Sequence, residues 1–128
     1  MAPSRNRKLV VIIDDDALVL EATRGLVRSW GCQVVAAESC KDAVAKLSEL
    51  GKRPDLIVCD YRLPEGSTGV DAIETLRGTS EIPALLVTGD PTLAECDDDL
   101  VGGYRLLHKP VNPKTFRAML VDASVLSD

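Results

Sequence analysis

Asp60 closes the run Leu56-Ile57-Val58-Cys59, and a loop bearing Pro64 and Gly66 follows it. A short, unbroken apolar run bounded by turn residues reads as a strand buried on both faces. The carboxylate then stands at the strand's carboxyl end, where open α/β sheets place their ligand chemistry. Three other runs deliver polar groups in the same way. Leu9–Ile13 ends in Asp14-Asp15-Asp16, Ala84–Val87 ends in Thr88, and Leu106-Leu107 leads through His108 to Lys109-Pro110. Carboxylates, a hydroxyl and an ammonium at neighbouring strand ends suit a site for a cation and a phosphoryl group.

The elements that must position these groups follow from periodicity and punctuation. Strands are expected at Leu9–Ile13, Cys32–Ala37, Leu56–Asp60, Pro83–Thr88 and Tyr104–His108. A first helix over Ala17–Ser29 carries Val19, Thr23, Leu26 and Trp30 at helical spacing, with Asp16 as its cap and Gly31 as its stop. A second opens at Ser39 with Asp42 three residues on, a near capping box, and presents Ala43, Val44, Leu47 and Leu50 as its apolar face before Gly51. Pro64, Gly66 and Gly69 belong to a sharp turn. Val70, Ile73 and Leu76 face the core from a third helix that ends at Gly78. A fourth, about Thr92 to Leu100, is intrinsically weak, because Asp97, Asp98 and Asp99 sit near its carboxyl end. Gly102-Gly103 ends it. The last helix has Asn112 as cap, Pro113 in its first turn and Val111 stapled on Phe116.

Strands alternating with helices give an α/β sandwich with a parallel sheet. The flavodoxin-like doubly wound (βα)5 fold is among the common solutions, and five strands fit it. The strand order 2-1-3-4-5 is taken from that fold type, since periodicity cannot reveal it.

Composition excludes several classes. A chain of 128 residues is one domain, here 9–123, with a basic leader or linker (1–8) and a short tail (124–128). With 45% hydrophobic but only 3% aromatic residues, the core must be aliphatic. A net charge of −5 speaks against direct nucleic-acid binding, which needs a basic stripe. Nothing approaches a membrane span. The four cysteines (Cys32, Cys40, Cys59, Cys96) show no C-x-x-C spacing, and a single histidine makes zinc a poor fit. Cys32 and Cys59 read as buried thiols of a reducing compartment, so the chain is expected in the cytoplasm.

Asp14-Asp15, Asp60, Thr88 and Lys109-Pro110, in this order and spacing, resemble the receiver domain of two-component response regulators, over about Leu9 to Val121. The phrases Asp60-Tyr61-Arg62-Leu63-Pro64 and Leu106-Leu107-His108-Lys109-Pro110 look most like receivers of hybrid sensor histidine kinases. The resemblance implies that Asp60 accepts a phosphoryl group from the phosphohistidine of a histidine kinase or phosphotransfer domain. It implies that Asp14, Asp15, Asp60 and the backbone carbonyl of Arg62 hold Mg²⁺, and that Thr88 and Lys109 bind the phosphoryl oxygens. It also implies a cis Lys109-Pro110 bond. Switching and homodimerisation would use the face made by the fourth helix, the fifth strand and the last helix, about Thr92–Asp122. Leu106 stands where many receivers carry a switch aromatic, and Tyr104 is expected to point elsewhere.

Taken singly the residues have plainer readings. Asp16 is a helix cap, His108 a strand-end surface residue, and Cys59, Phe116 and Met119 are core. Arg62 and Asp90 are expected to pair across the mouth of the site. Two rival functions are a receiver-like interaction module that is never phosphorylated and a small Mg²⁺-dependent aspartyl phosphohydrolase. The second would want an acid where Arg62 stands. As a signalling domain the chain would catalyse only its own phosphorylation and slow dephosphorylation.

Overall fold

The computed structural model describes residues 7–63, 68–89, 100–101 and 104–126. Its strands are β1 (Leu9–Ile13), β2 (Gln33–Ala37), β3 (Leu56–Asp60), β4 (Ala84–Thr88), β5 (Leu100–Val101) and β6 (Tyr104–His108); its helices are α1 (Ala17–Ser29), α2 (Cys40–Leu50), α3 (Gly69–Arg77) and α4 (Pro113–Asp122). The sheet runs β2-β1-β3-β4-β6-β5. Its five parallel strands follow the expected 2-1-3-4-5 order, β6 being the fifth of them. The two residues of β5 add an antiparallel edge, pairing Leu100 with Arg105 and Val101 with Tyr104. Leu100 therefore lies in a strand and not at a helix end, whereas the helix expected from Thr92, together with Asp90 and Cys96, lies outside the described residues.

Alternation along the central strands explains their unbroken apolar character. Leu9, Val11, Ile13, Ile57 and Cys59 face α2 and α3, with Leu86 and Leu106 beside them. Val10, Ile12, Leu56 and Val58 face α1 and α4, against Val27, Phe116 and Leu120. Every residue of β1 and β3 is buried, each large aliphatic side chain contributing roughly 1.5–3 kcal/mol of hydrophobic stabilisation. Local rules set the helix ends. Asp16 accepts from the N–H groups of Leu18 and Val19, Thr68 and Asp71 form a capping box on α3, and Asn112 caps α4 just before Pro113.

Some expected core positions are corrected. The buried residues of α2 are Ala43 and Leu47, while Val44 and Leu50 are 43% and 40% exposed. Helix α2 covers the sheet margin beside the edge strand β2, so only a narrow stripe of it meets the core. Gly69, grouped with the turn glycines, is the first residue of α3. Residues 124–126, expected as tail, fold back after α4: the Val125 N–H donates to the Leu120 carbonyl, and Val125 is buried. Among the described residues no helix is long and apolar enough to cross a membrane.

Candidate functional site

Strand register brings the polar groups together. Ile13 lies beside Cys59, so the residues that follow, Asp14 and Asp60, emerge side by side. Asp60 lies beside Val87, and Thr88 beside His108. The Lys109 N–H donates to the Thr88 carbonyl at 2.7 Å, which turns the chain over the end of β4, and Lys109-Pro110 is cis.

Lys109 Nζ lies 3.2 Å from Asp14 Oδ2 and 3.3 Å from Asp60 Oδ1. Asp14, Asp60 and Thr88 are all buried. Asp14 Oδ1 accepts from the Asp16 N–H at 2.9 Å, so the turn into α1 fixes that carboxylate while Asp16 serves as the cap. Asp15 is exposed at the rim. Each of Asp14, Asp15 and Asp60 offers an oxygen within 4.8 Å of the others. Three carboxylates against one ammonium leave a formal charge of −2. That excess matches a hard divalent cation, which takes carboxylate oxygens and keeps several waters.

The electrostatics agree. Burial, and then the neighbouring Asp14 carboxylate, push Asp60 up to about 6; the Lys109 ammonium opposes both. For Lys109, burial favours the neutral amine, but Asp60 and Asp14 together outweigh it and hold the ammonium above its ordinary range. Cys59 is the contrast. Burial first, then nearby negative charge, drives its thiol far up, as befits an inert core residue.

Arg62 lies two residues past Asp60 and forms an isolated antiparallel bridge with Thr68. The proposed partner for its side chain, Asp90, lies outside the described residues. Leu106 is buried on the α2/α3 side of the sheet. Tyr104 shares that face and, as expected, points away from the carboxylates: its hydroxyl donates to Glu74 Oε2 and accepts from Arg77 Nη1.

Sequence reasoning missed two things. One is the second partner of Lys109, since only the register of β1 against β3 puts Asp14 within its reach. The other is an apolar hollow of about 490 Å³ beside Lys109, walled by Val19, Leu26, Pro110, Val111 and Phe116. Its walls come from two helices and a loop distant in sequence, though Leu18, 84% exposed and one residue before the lining Val19, breaks the polar face of α1.

Comparison with known proteins gives a consistent result. Residues 10–121 match the family model of the response regulator receiver domain. The phyllosphere-induced regulator PhyR of Methylorubrum extorquens is 29% identical over 119 residues, covering 89% of this chain and 42% of that protein. The transcriptional regulatory protein AruR of Pseudomonas aeruginosa is 34% identical over 114 residues, covering 82% and 44%. The solution NMR structure of the PhyR response regulator REC domain of Erythrobacter litoralis superposes with a TM-score of 0.74 at 28% identity, over 95% of this chain and 93% of that one. The chain spans less than half the length of the two curated relatives.

Proposed function

The chain belongs to the response regulator receiver domain family, and from that footing we propose that it works as a phosphorelay receiver. Asp60 accepts a phosphoryl group from the phosphohistidine of a histidine kinase or phosphotransfer domain in a Mg²⁺-dependent step. An Asp60 carboxylate oxygen attacks phosphorus, the P–N bond breaks, and the imidazole leaves with the electron pair of that bond as the acyl phosphate forms. Lys109, already 3.3 Å from Asp60, neutralises charge on the incoming oxygens, and the Thr88 hydroxyl donates to another. Such transfer depends mostly on positioning and charge stabilisation. Asp14, Asp15, Asp60 and the Arg62 carbonyl would hold Mg²⁺, which when bound supplies a second positive centre for the phosphoryl oxygens.

The observation that carries this reading is the placement of one ammonium between two buried carboxylates, with a third carboxylate within metal-sharing distance. The apolar hollow beside Lys109 and the exposed Leu18 offer a protein donor a surface to rest on. β6 and α4, with the segment before them, would form the switching and dimerisation face. The phrases Asp60-Tyr61-Arg62-Leu63-Pro64 and Leu106-Leu107-His108-Lys109-Pro110 support a hybrid-kinase setting.

The test is intact mass after incubation with Mg²⁺ and acetyl phosphate, with Asp60→Asn as control. Gain of one phosphoryl group, abolished in the variant and by chelation, is the expected result. No gain, together with no beryllofluoride binding in a titration that needs no donor, would refute the reading in favour of an interaction module.

A further inference from the structure

The first turn of α3 rests directly on the backbone of the acceptor residue, and it can do so only because position 69 has no side chain. A Cβ on Gly69 would lie 2.5 Å from the Asp60 carbonyl oxygen, 2.7 Å from Leu86 Cδ2 and 3.1 Å from the Asp60 carbonyl carbon. Gly69 has no positive φ, so no conformational demand calls for glycine there. Helix propensity would favour almost any other residue, alanine above all. Space is the remaining reason. Gly25, inside α1, is the opposite case: a Cβ there meets nothing within 4 Å.

The contact at Gly69 closes a loop around the site. The Gly69 N–H donates to the Tyr61 carbonyl at 2.6 Å, Thr68 bridges Arg62, and the Thr68–Asp71 capping box fixes the helix start that does both. The chain leaving Asp60 is thus pinned to the chain entering α3 at residues 61, 62 and 60 in turn. We propose that Gly69 is a positioning residue, whose missing side chain lets α3 clamp the backbone of Asp60 and Arg62 and so sets the acceptor carboxylate and the Arg62 carbonyl in place.

This rests on the reading of Asp60 as acceptor and of the Arg62 carbonyl as a metal ligand. Ordinary C···O contacts lie near 3.3 Å, so Gly69→Ala must displace one backbone from the other by about 0.8 Å. Mg²⁺ demands near-ideal octahedral geometry, and a misplacement of that size costs on the order of a hundredfold in a positioned reaction.

The experiment compares the wild type with Gly69→Ala, Gly25→Ala and Leu86→Ala. Mg²⁺ binding is read by calorimetry, labelling by acetyl phosphate through intact mass, and stability by urea unfolding. Gly69→Ala is expected to weaken Mg²⁺ binding about tenfold and to slow labelling about a hundredfold at saturating acetyl phosphate. Leu86→Ala is expected to lose much stability yet keep Mg²⁺ affinity within about twofold, because it empties core space without touching the Asp60 carbonyl. Gly25→Ala is expected to change neither. Wild-type Mg²⁺ affinity and labelling in Gly69→Ala would overturn the proposal.

Should Gly69→Ala not fold, the double variant Gly69→Ala/Leu86→Ala removes the collision with Leu86 and leaves the one with the carbonyl. Restored Mg²⁺ binding there would overturn the clamp, and continued loss supports it. A wild type that gains no phosphoryl group and binds no Mg²⁺ would instead sink the functional reading. The clamp is then judged on the ¹³C shift of the Asp60 carbonyl, which must move in Gly69→Ala and stay fixed in Gly25→Ala.

Discussion

Asp60→Asn should make the metal-free protein more stable, and by an amount that depends on pH in a set way. Burial and the Asp14 carboxylate raise Asp60 from 3.8 to about 6 in the folded chain, whereas an unfolded aspartate titrates near 3.9. The folded state therefore holds this proton more tightly than the unfolded state does. Below about pH 4 both forms are protonated and the group costs nothing. As pH rises from there through 6, the carboxylate ionises at the expense of the fold, and above 6 the loss is complete. Each tenfold gain in proton affinity is worth about 1.36 kcal/mol, and the roughly hundredfold gain here sets the loss at roughly 3 kcal/mol. Asp60 is only 8% exposed, so water screens little of it. Asparagine keeps the shape without the charge. It should recover about 2–3 kcal/mol at pH 8 in chelator, raising the thermal midpoint by on the order of 6–10 °C for a chain of this size. About a third of that gain should remain at pH 4.5. Saturating Mg²⁺ should shrink it, because the cation stabilises the wild type by mass action and the variant less. Thermal and urea unfolding of both proteins at the two pH values is the assay. A gain of equal size at pH 4.5 and pH 8, or a lower midpoint for the variant at pH 8, would refute the reasoning.

Lys109→Met removes the ammonium that pairs with both Asp14 and Asp60. It should cost about 2 kcal/mol at pH 8 without metal, less at pH 4.5, and slow acetyl phosphate labelling at least a hundredfold, as urea curves and intact mass would register. Tyr104→Phe keeps the buried ring under the Arg77 guanidinium but loses the hydroxyl that bonds Glu74 and Arg77. The expected cost is about 1–1.5 kcal/mol in urea unfolding, with labelling of Asp60 unchanged. Ser124 holds a φ of +63° just after α4, a conformation that costs a non-glycine residue about 1–2 kcal/mol. Ser124→Gly should therefore raise the thermal midpoint by a few degrees, and a lower midpoint would count against that account.

Much of this was legible in the chain because the same residues signal both strand and site. Leu9–Ile13 and Leu56–Cys59 are unbroken apolar runs because both faces of β1 and β3 are covered. Each stops at a carboxylate because the sheet ends there and the polar cluster begins. Asp16 and Asn112 announce helix starts by side-chain chemistry alone, and the structure uses both as caps. What depends on distant packing was less visible. Periodicity places Val44 and Leu50 on one face of α2 with Leu47, but it cannot say how wide a stripe the sheet margin will cover. β5 has only two residues, too few for alternation to register, and its pairing with Tyr104 and Arg105 is fixed by β6. Gly69 looks like one more turn glycine until the Asp60 carbonyl is found where a Cβ would have to go.

The charge on the site also bears on why the fold tolerates it. The aliphatic residues of β1 and β3 each contribute roughly 1.5–3 kcal/mol by burial, which together far exceeds the loss of about 3 kcal/mol that ionised Asp60 imposes. Conformational entropy consumes nearly all of that gross gain, and domains of this kind retain only about 5–15 kcal/mol. Measured against the net figure, one buried carboxylate is a substantial fraction of the whole. Whatever neutralises the cluster therefore stabilises the fold and prepares the chemistry by the same interaction. Lys109 does so permanently, and a divalent cation would do so when bound. Asp60→Asn, which lowers the cluster's negative charge by removing the accepting carboxylate itself, should gain stability and lose phosphoryl acceptance together. One that only disturbs packing, such as Leu86→Ala, should lose stability and keep the site.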